Sequence, residues 1–312
     1  SPNDERVHNR LTHSIEAACV GRDLGAMAAI AAGLSECAHD IGAIVSAAAL
    51  AHDIGNPPYG HSGERAIQDF FKSDPRGVDL LSRLEEPEIA DFREFDGNQM
   101  AFRIMSHSLP EKTSASGGMK LTYATLAASV KYPCSNAARP AARFSKAGLF
   151  VSQVPHFAQI AESLCLPVRG TEAWARHPLA FLVEAADDIA YLVADAEDGF
   201  KRKLLPEERL SANLKGIILH TLNARALDSA LRRIHDPIER VGFLRAKAIN
   251  SLVAQAARAF ATNVDSMMAG EYERELLHDI PAAPAVSALK EDSEKSIYDH
   301  QSVVQIEAAG FS

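Results

Sequence analysis

Apolar residues recur at intervals of three and four along almost every long segment of this chain. No segment alternates apolar and polar residues for the length of a strand. That period is the helical one, so the pattern restricts the chain to packed helices. Composition points the same way. Of the 312 residues 53 are Ala, and aromatics make up only 6%. Alanine is the strongest helix former, whereas sheets want branched and aromatic side chains. The spacing predicts helices over about Asn9 to Leu34, Asp40 to Ile54, His61 to Phe71, Asn98 to His107, Leu121 to Tyr132 and Val154 to Leu164. Three more are expected from Pro178 through Val193, from Pro206 to Ile234 and from Pro237 to Met268. Asp40 reads as an N-cap. Gly55 reads as the left-handed residue that ends the same helix, and Pro57-Pro58 cannot continue it. The expected fold is all-α, one domain over residues 1–312 with a few peripheral helices. Two flexible loops are expected, at 110–118 and 278–293.

The chain carries 32 Lys and Arg against 41 Asp and Glu, a net charge of −9. That balance argues against coating DNA or RNA, which needs clustered cations, but leaves room for a local basic pocket. Cys19, Cys37, Cys134 and Cys165 contain no C-x-x-C and suggest neither a zinc site nor a disulfide framework. They read as reduced, mostly buried thiols. Ile41 to Ala51 is the longest uncharged apolar run near the start and is too short to span a bilayer. No signal peptide precedes it, so a cytoplasmic protein without membrane contact is expected. The first residues, which include no initiator Met, look cut.

The most distinctive stretch is Ala51-His52-Asp53-Ile54-Gly55-Asn56-Pro57-Pro58-Tyr59-Gly60-His61-Ser62-Gly63-Glu64. An adjacent His and Asp at the last turn of a helix offer an imidazole and a carboxylate to one divalent metal, but need further ligands from other helices. The string Ala-His-Asp-Ile-Gly also occurs at 38–42, where the Pro-Pro and second His do not follow. His39-Asp40 therefore reads as structural. His13, within Arg10-Leu11-Thr12-His13-Ser14-Ile15-Glu16, supplies one further candidate. Another lies in Glu184 to Asp195, where Asp187, Tyr191 and Asp195 follow i, i+4, i+8 and share one helix face beside an apolar stripe. Asp188 does not share that face.

With these motifs in order, the chain resembles the HD-domain phosphohydrolases, and within them the deoxynucleoside triphosphate triphosphohydrolases. Phe95-Asp96-Gly97-Asn98-Gln99, Leu121-Thr122-Tyr123-Ala124-Thr125-Leu126 and Lys131-Tyr132-Pro133 extend the likeness, as do Ser296-Ile297-Tyr298 and Ala308-Ala309-Gly310-Phe311. The resemblance implies an HD-type helical core and one divalent ion, Mn²⁺, Mg²⁺ or similar, held by His13, His52, Asp53 and Asp187. It makes His61 the catalytic acid/base, with Glu64 orienting it. Arg10 and Lys131 would face the phosphates, Tyr191 and Asp195 the sugar, and Asn98 would be a further substrate contact. The implied reaction cuts a dNTP into deoxynucleoside and triphosphate. A homo-oligomer is expected, with a nucleotide or single-stranded DNA effector as a further partner. Two rival readings are an HD-type hydrolase of nucleoside monophosphates or alarmones, and a dNTP- or nucleic-acid-binding regulator without turnover. Relative to the family pattern, an N-terminal segment with a base-contacting Gln region and a last C-terminal helix are not found in these residues.

Overall fold

The computed structural model describes residues 9–107 and 119–298. The loop expected at 110–118 and the motif at 308–311 lie outside them. Fourteen α-helices are seen among the described residues. They are α1 (Arg10–Ala31), α2 (Ala38–Ala51), α3 (His61–Ser73), α4 (Pro75–Leu81), α5 (Glu86–Arg93), α6 (Gly97–Ser106) and α7 (Tyr123–Ala128). There follow α8 (Arg139–Ala142), α9 (Val154–Ser163), α10 (Pro178–Lys201), α11 (Glu207–Ile218), α12 (Ala224–Leu231), α13 (Pro237–Met268) and α14 (Ala283–Ser293). The described strands are β1 (Val168–Gly170) and β2 (Ala173–Trp174), an antiparallel ribbon. The fold is all-α.

The described residues divide into two compact units. The first takes the chain up to Ala49, Leu182–Val264 and the segment from Arg274 on; the second takes Leu50–Phe181 and Asp265–Glu273. In the first unit, α1 and α2 approach through small residues. A Cβ on Gly25 would stand 3.0 Å from the Gly42 Cα, and one on Gly42 would stand 2.8 Å from the Arg22 carbonyl oxygen. Side chains there would force the two backbones apart. α1 opens with a capping box in which Asn9 and Thr12 exchange hydrogen bonds. In the same unit α11 packs on α14. The second unit is built around a buried cluster of Phe102, Met105, Leu126, Phe157, Ile160 and Trp174 from α6, α7, α9 and β2, with Leu149 from the segment between α8 and α9. α3 packs there on α4 and α5.

Several expectations need correction. α2 begins at Ala38, after a 3₁₀ turn over Ser35–Cys37, so Asp40 sits inside its first turn and is not the cap. There its charge meets the positive end of the helix. α2 also ends at Ala51 rather than near Ile54, and Gly55 has no left-handed φ. The single helix expected over 206–234 is two, because the Asn223 side chain accepts from the Arg225 N–H and starts α12 afresh. Residues expected to form a flexible loop at 278–293 contain α14, with Pro284 in its first turn, where a missing N–H costs nothing. Among the cysteines only Cys134 is buried; Cys19, Cys37 and Cys165 are exposed, and all four are free thiols. No described helix is long and apolar enough to cross a membrane.

Candidate metal and acid/base site

In the first unit, α1 presents His13 one turn after Arg10, on the same helix face. α10 is buried along nearly its whole circumference, and the residues it leaves open between 187 and 198 are Asp187, Asp188, Tyr191, Asp195 and Asp198. His13 Nε2 lies 2.9 Å from Asp187 Oδ1, a contact between residues 174 positions apart. The Tyr191 ring meets the His13 ring edge-on at 6.0 Å. Asp188 instead stands 3.8 Å from the Lys290 ammonium of α14, and burial pushes its pKa up to about 6. Of the adjacent acids, then, Asp187 joins the histidine.

In the second unit, His52 and Asp53 occupy the turn that follows α2. His52 Nε2 is 3.4 Å from Asp53 Oδ1. The Asn56 side-chain N–H donates to that same oxygen at 2.6 Å. Beyond Pro57-Pro58 the chain reverses through Tyr59 and Gly60, whose φ values of 63° and 55° are both left-handed. That reversal places His61 at the first position of α3. Glu64 follows one turn later and is 5% exposed. Its Oε2 lies 2.6 Å from His61 Nδ1, and its Oε1 accepts the Gly97 backbone N–H at 2.7 Å.

The electrostatics of this pair run in opposite directions. The hydrogen bond to Glu64 raises the His61 pKa above its ordinary 6.5, against the pull of burial. Burial would raise Glu64, but the bonds from His61 and Gly97 hold it below the ordinary carboxylate range. Glu64 is therefore an acceptor, His61 Nδ1–H donates to it, and Nε2 is left as the atom that exchanges a proton.

The donor chemistry suits a divalent ion. Two imidazoles and two carboxylates are hard-to-borderline ligands. Neighbouring ligand atoms on an octahedral ion at about 2.1 Å stand roughly 3 Å apart. The spacings of 2.9 Å in the His13–Asp187 pair and 3.4 Å in the His52–Asp53 pair are of that size.

Two of the expected substrate contacts have local partners. The Asn98 amide donates to Asp96 Oδ1 at 2.6 Å, within the cap of α6. The Lys131 ammonium lies 5.5 Å over the Tyr132 ring, and the Arg176 guanidinium lies 5.8 Å from the same ring. Arg176 also donates its Nε–H to the Lys131 carbonyl at 2.7 Å.

Residues 10–122 match the HD domain family. A deoxyguanosinetriphosphate triphosphohydrolase-like protein of Synechocystis sp. is 38% identical over 98% of this chain and 70% of its own length. One of Pseudomonas aeruginosa is 38% identical over 95% of this chain and 67% of its own. A deoxyguanosinetriphosphate triphosphohydrolase of Yersinia pestis is 29% identical over 98% and 68% respectively. This chain belongs to the deoxyguanosinetriphosphate triphosphohydrolase-like family of HD-domain hydrolases.

The HD match covers His13, His52, Asp53, His61, Glu64 and Asn98, whereas Asp187 and the Lys131 region lie beyond it. For these the family likeness rests on the relatives that span nearly the whole chain. Sequence reasoning missed Arg176, Asn56 and Lys146. Lys146 pairs with Asp96 at 2.8 Å. Burial opposes its charge, but Asp96 and then Glu64 hold its pKa above the ordinary value. No local motif marks Lys146 or Arg176. Asn56 stands inside the motif already quoted and could have been found there.

Proposed function

We propose that this protein hydrolyses a 2′-deoxynucleoside triphosphate to the deoxynucleoside and inorganic triphosphate, using one divalent cation, Mn²⁺ or Mg²⁺. The observation that carries the reading is the approach of His13 Nε2 to Asp187 Oδ1 at 2.9 Å across 174 residues of sequence, which a solvated acidic helix face does not produce. His13, His52, Asp53 and Asp187 would hold the ion. Bound there, it supplies charge to polarise the α-phosphate and to acidify a water.

The residues of the chain do the rest. Water adds to the α-phosphorus and the bond to the 5′ oxygen breaks, so the solvent oxygen ends in the triphosphate. His61 Nε2 delivers the proton that the departing 5′ oxygen takes up, while Glu64 holds the ring by Nδ1–H. The raised pKa of His61 keeps more of it protonated near neutrality, as an acid requires. Arg10 and Lys131 offset charge on the transferred group, and Asn98 is a further substrate contact. Tyr191 and Asp195 line the sugar side, where a close floor under C2′ rejects a ribose hydroxyl. A homo-oligomer in the cytoplasm, with a nucleotide or single-stranded DNA effector, belongs to the same reading.

Product analysis tests it. Each of the four dNTPs is incubated with Mn²⁺ or Mg²⁺ and the products are separated. Deoxynucleoside and triphosphate in equal amounts are expected, and an Asp187→Ala protein should give neither. Orthophosphate or pyrophosphate would instead point to a different HD-type phosphohydrolase. Tight dNTP binding with no turnover at either metal would mean a regulator.

A further inference from the structure

The turn that carries His52 and Asp53 lies backbone against backbone on the start of α6. A methyl group on Gly55 would stand 2.1 Å from the Gly97 carbonyl oxygen and 2.2 Å from the Ala101 nitrogen. On Gly97 it would stand 2.0 Å from Asn56 Oδ1 and 3.0 Å from Glu64 Oε1. Neither glycine has a left-handed φ, so the requirement is for space. Two side chains thus converge on one Cα. Asn56 donates onward to Asp53 Oδ1 at 2.6 Å. Glu64, fixed by the Gly97 N–H at 2.7 Å, grips His61 Nδ1 at 2.6 Å. The Asp96 cap, with Lys146 paired to it at 2.8 Å, holds that first turn of α6 in place.

We propose that Gly97 and Asn56 are positioning residues that form one shared seat, through which the first turn of α6 sets the Asp53 carboxylate and the His61 imidazole together. The proposal rests on reading Asp53 as a metal ligand and His61 as the acid. A ligating carboxylate rotates freely unless an outer hydrogen bond fixes it, and here Asn56 supplies that bond. The imidazole keeps Nε2 outward only while Glu64 is anchored, and here Gly97 supplies the anchor. Because Asn56 packs against the same residue that anchors Glu64, a change at Gly97 disturbs metal binding and proton transfer at once. A change at Asn56 disturbs only the metal.

Three variants test this: Asn56→Ala, Gly97→Ala and the two combined. Mn²⁺ affinity is measured by calorimetry, and the His61 ring is titrated by NMR in the metal-free protein. Asn56→Ala should weaken Mn²⁺ binding roughly 10–100-fold, the usual effect of losing an outer-sphere bond, and leave the His61 titration in place. Gly97→Ala should weaken Mn²⁺ binding by a similar factor and move the His61 midpoint down toward its ordinary value. In the Asn56→Ala background the clash with the Asn56 amide is gone, so adding Gly97→Ala should cost no further Mn²⁺ affinity. That combination also supplies the reading if Gly97→Ala alone does not fold. Wild-type Mn²⁺ affinity in Asn56→Ala, or a wild-type His61 titration in Gly97→Ala, would overturn the shared seat. A wild-type protein that binds no Mn²⁺ would instead overturn the metal reading, and the metal-free titration would still decide the Gly97–Glu64 half.

Discussion

At the scale of single residues, the Glu64 carboxylate gives the acid/base pair its direction. His61 is raised because Glu64 is ionised and bonded to it, so the acid form survives at higher pH and is lost as pH rises through the folded-state pKa. Glu64→Gln removes that charge. The alkaline limb of kcat against pH should then move to lower pH, toward the ordinary 6.5 of a free imidazole. His61→Ala should retain metal and lose about 10²–10⁴-fold in kcat, the range for a positioned acid. An unmoved limb in Glu64→Gln would mean that another group sets it. The neighbouring acids of α10 separate just as cleanly. Asp187→Ala should lose bound metal and turnover at unchanged helical content. Asp188→Ala should keep its metal, because its side chain faces Lys290 rather than His13. Metal content measured after dialysis of both variants decides the assignment, and loss of metal only in Asp188→Ala would reverse it. The sequence singles out His13, His52, Asp53, His61 and Glu64 as candidates because their motifs are local, and the structure pairs His13 with Asp187 and His61 with Glu64. Gly97 was visible only as part of a motif, since what it does depends on a close approach that no spacing reveals.

At the scale of elements, the helices that sequence locates best begin at or beside proline. α9, α10 and α13 start within a residue of Pro155, Pro178 and Pro237, where the fixed φ of the ring suits the first turn. Short helices escaped. α4, α5 and α8 are too brief to show a period. α14 was misread because proline, alanine and charge look like a loop in sequence. In the structure Asp292 is buried and accepts from Arg209 Nε at 2.8 Å and Asn213 Nδ2 at 2.7 Å, fastening α14 to α11. Asp292→Ala should cost about 1–2 kcal/mol in chemical denaturation, since charged hydrogen bonds are lost but Arg209 is largely exposed. A change within about 0.5 kcal/mol, usual for an unconstrained surface position, would show that α14 is not held this way.

At the scale of the whole molecule, the all-helical fold was legible because 53 alanines and a steady helical period leave little else. The division into two units was not. The chain passes from one to the other inside α2, α10 and α13 and again after Glu273, so three of these boundaries carry no linker signal. The central claim, that water attacks the α-phosphorus of a dNTP in the presence of a divalent cation, is tested most directly by running the reaction in ¹⁸O-labelled water and analysing both products by mass spectrometry. One labelled oxygen should be found in the triphosphate and none in the deoxynucleoside. Label in the deoxynucleoside would place the attack at the sugar carbon and contradict the account.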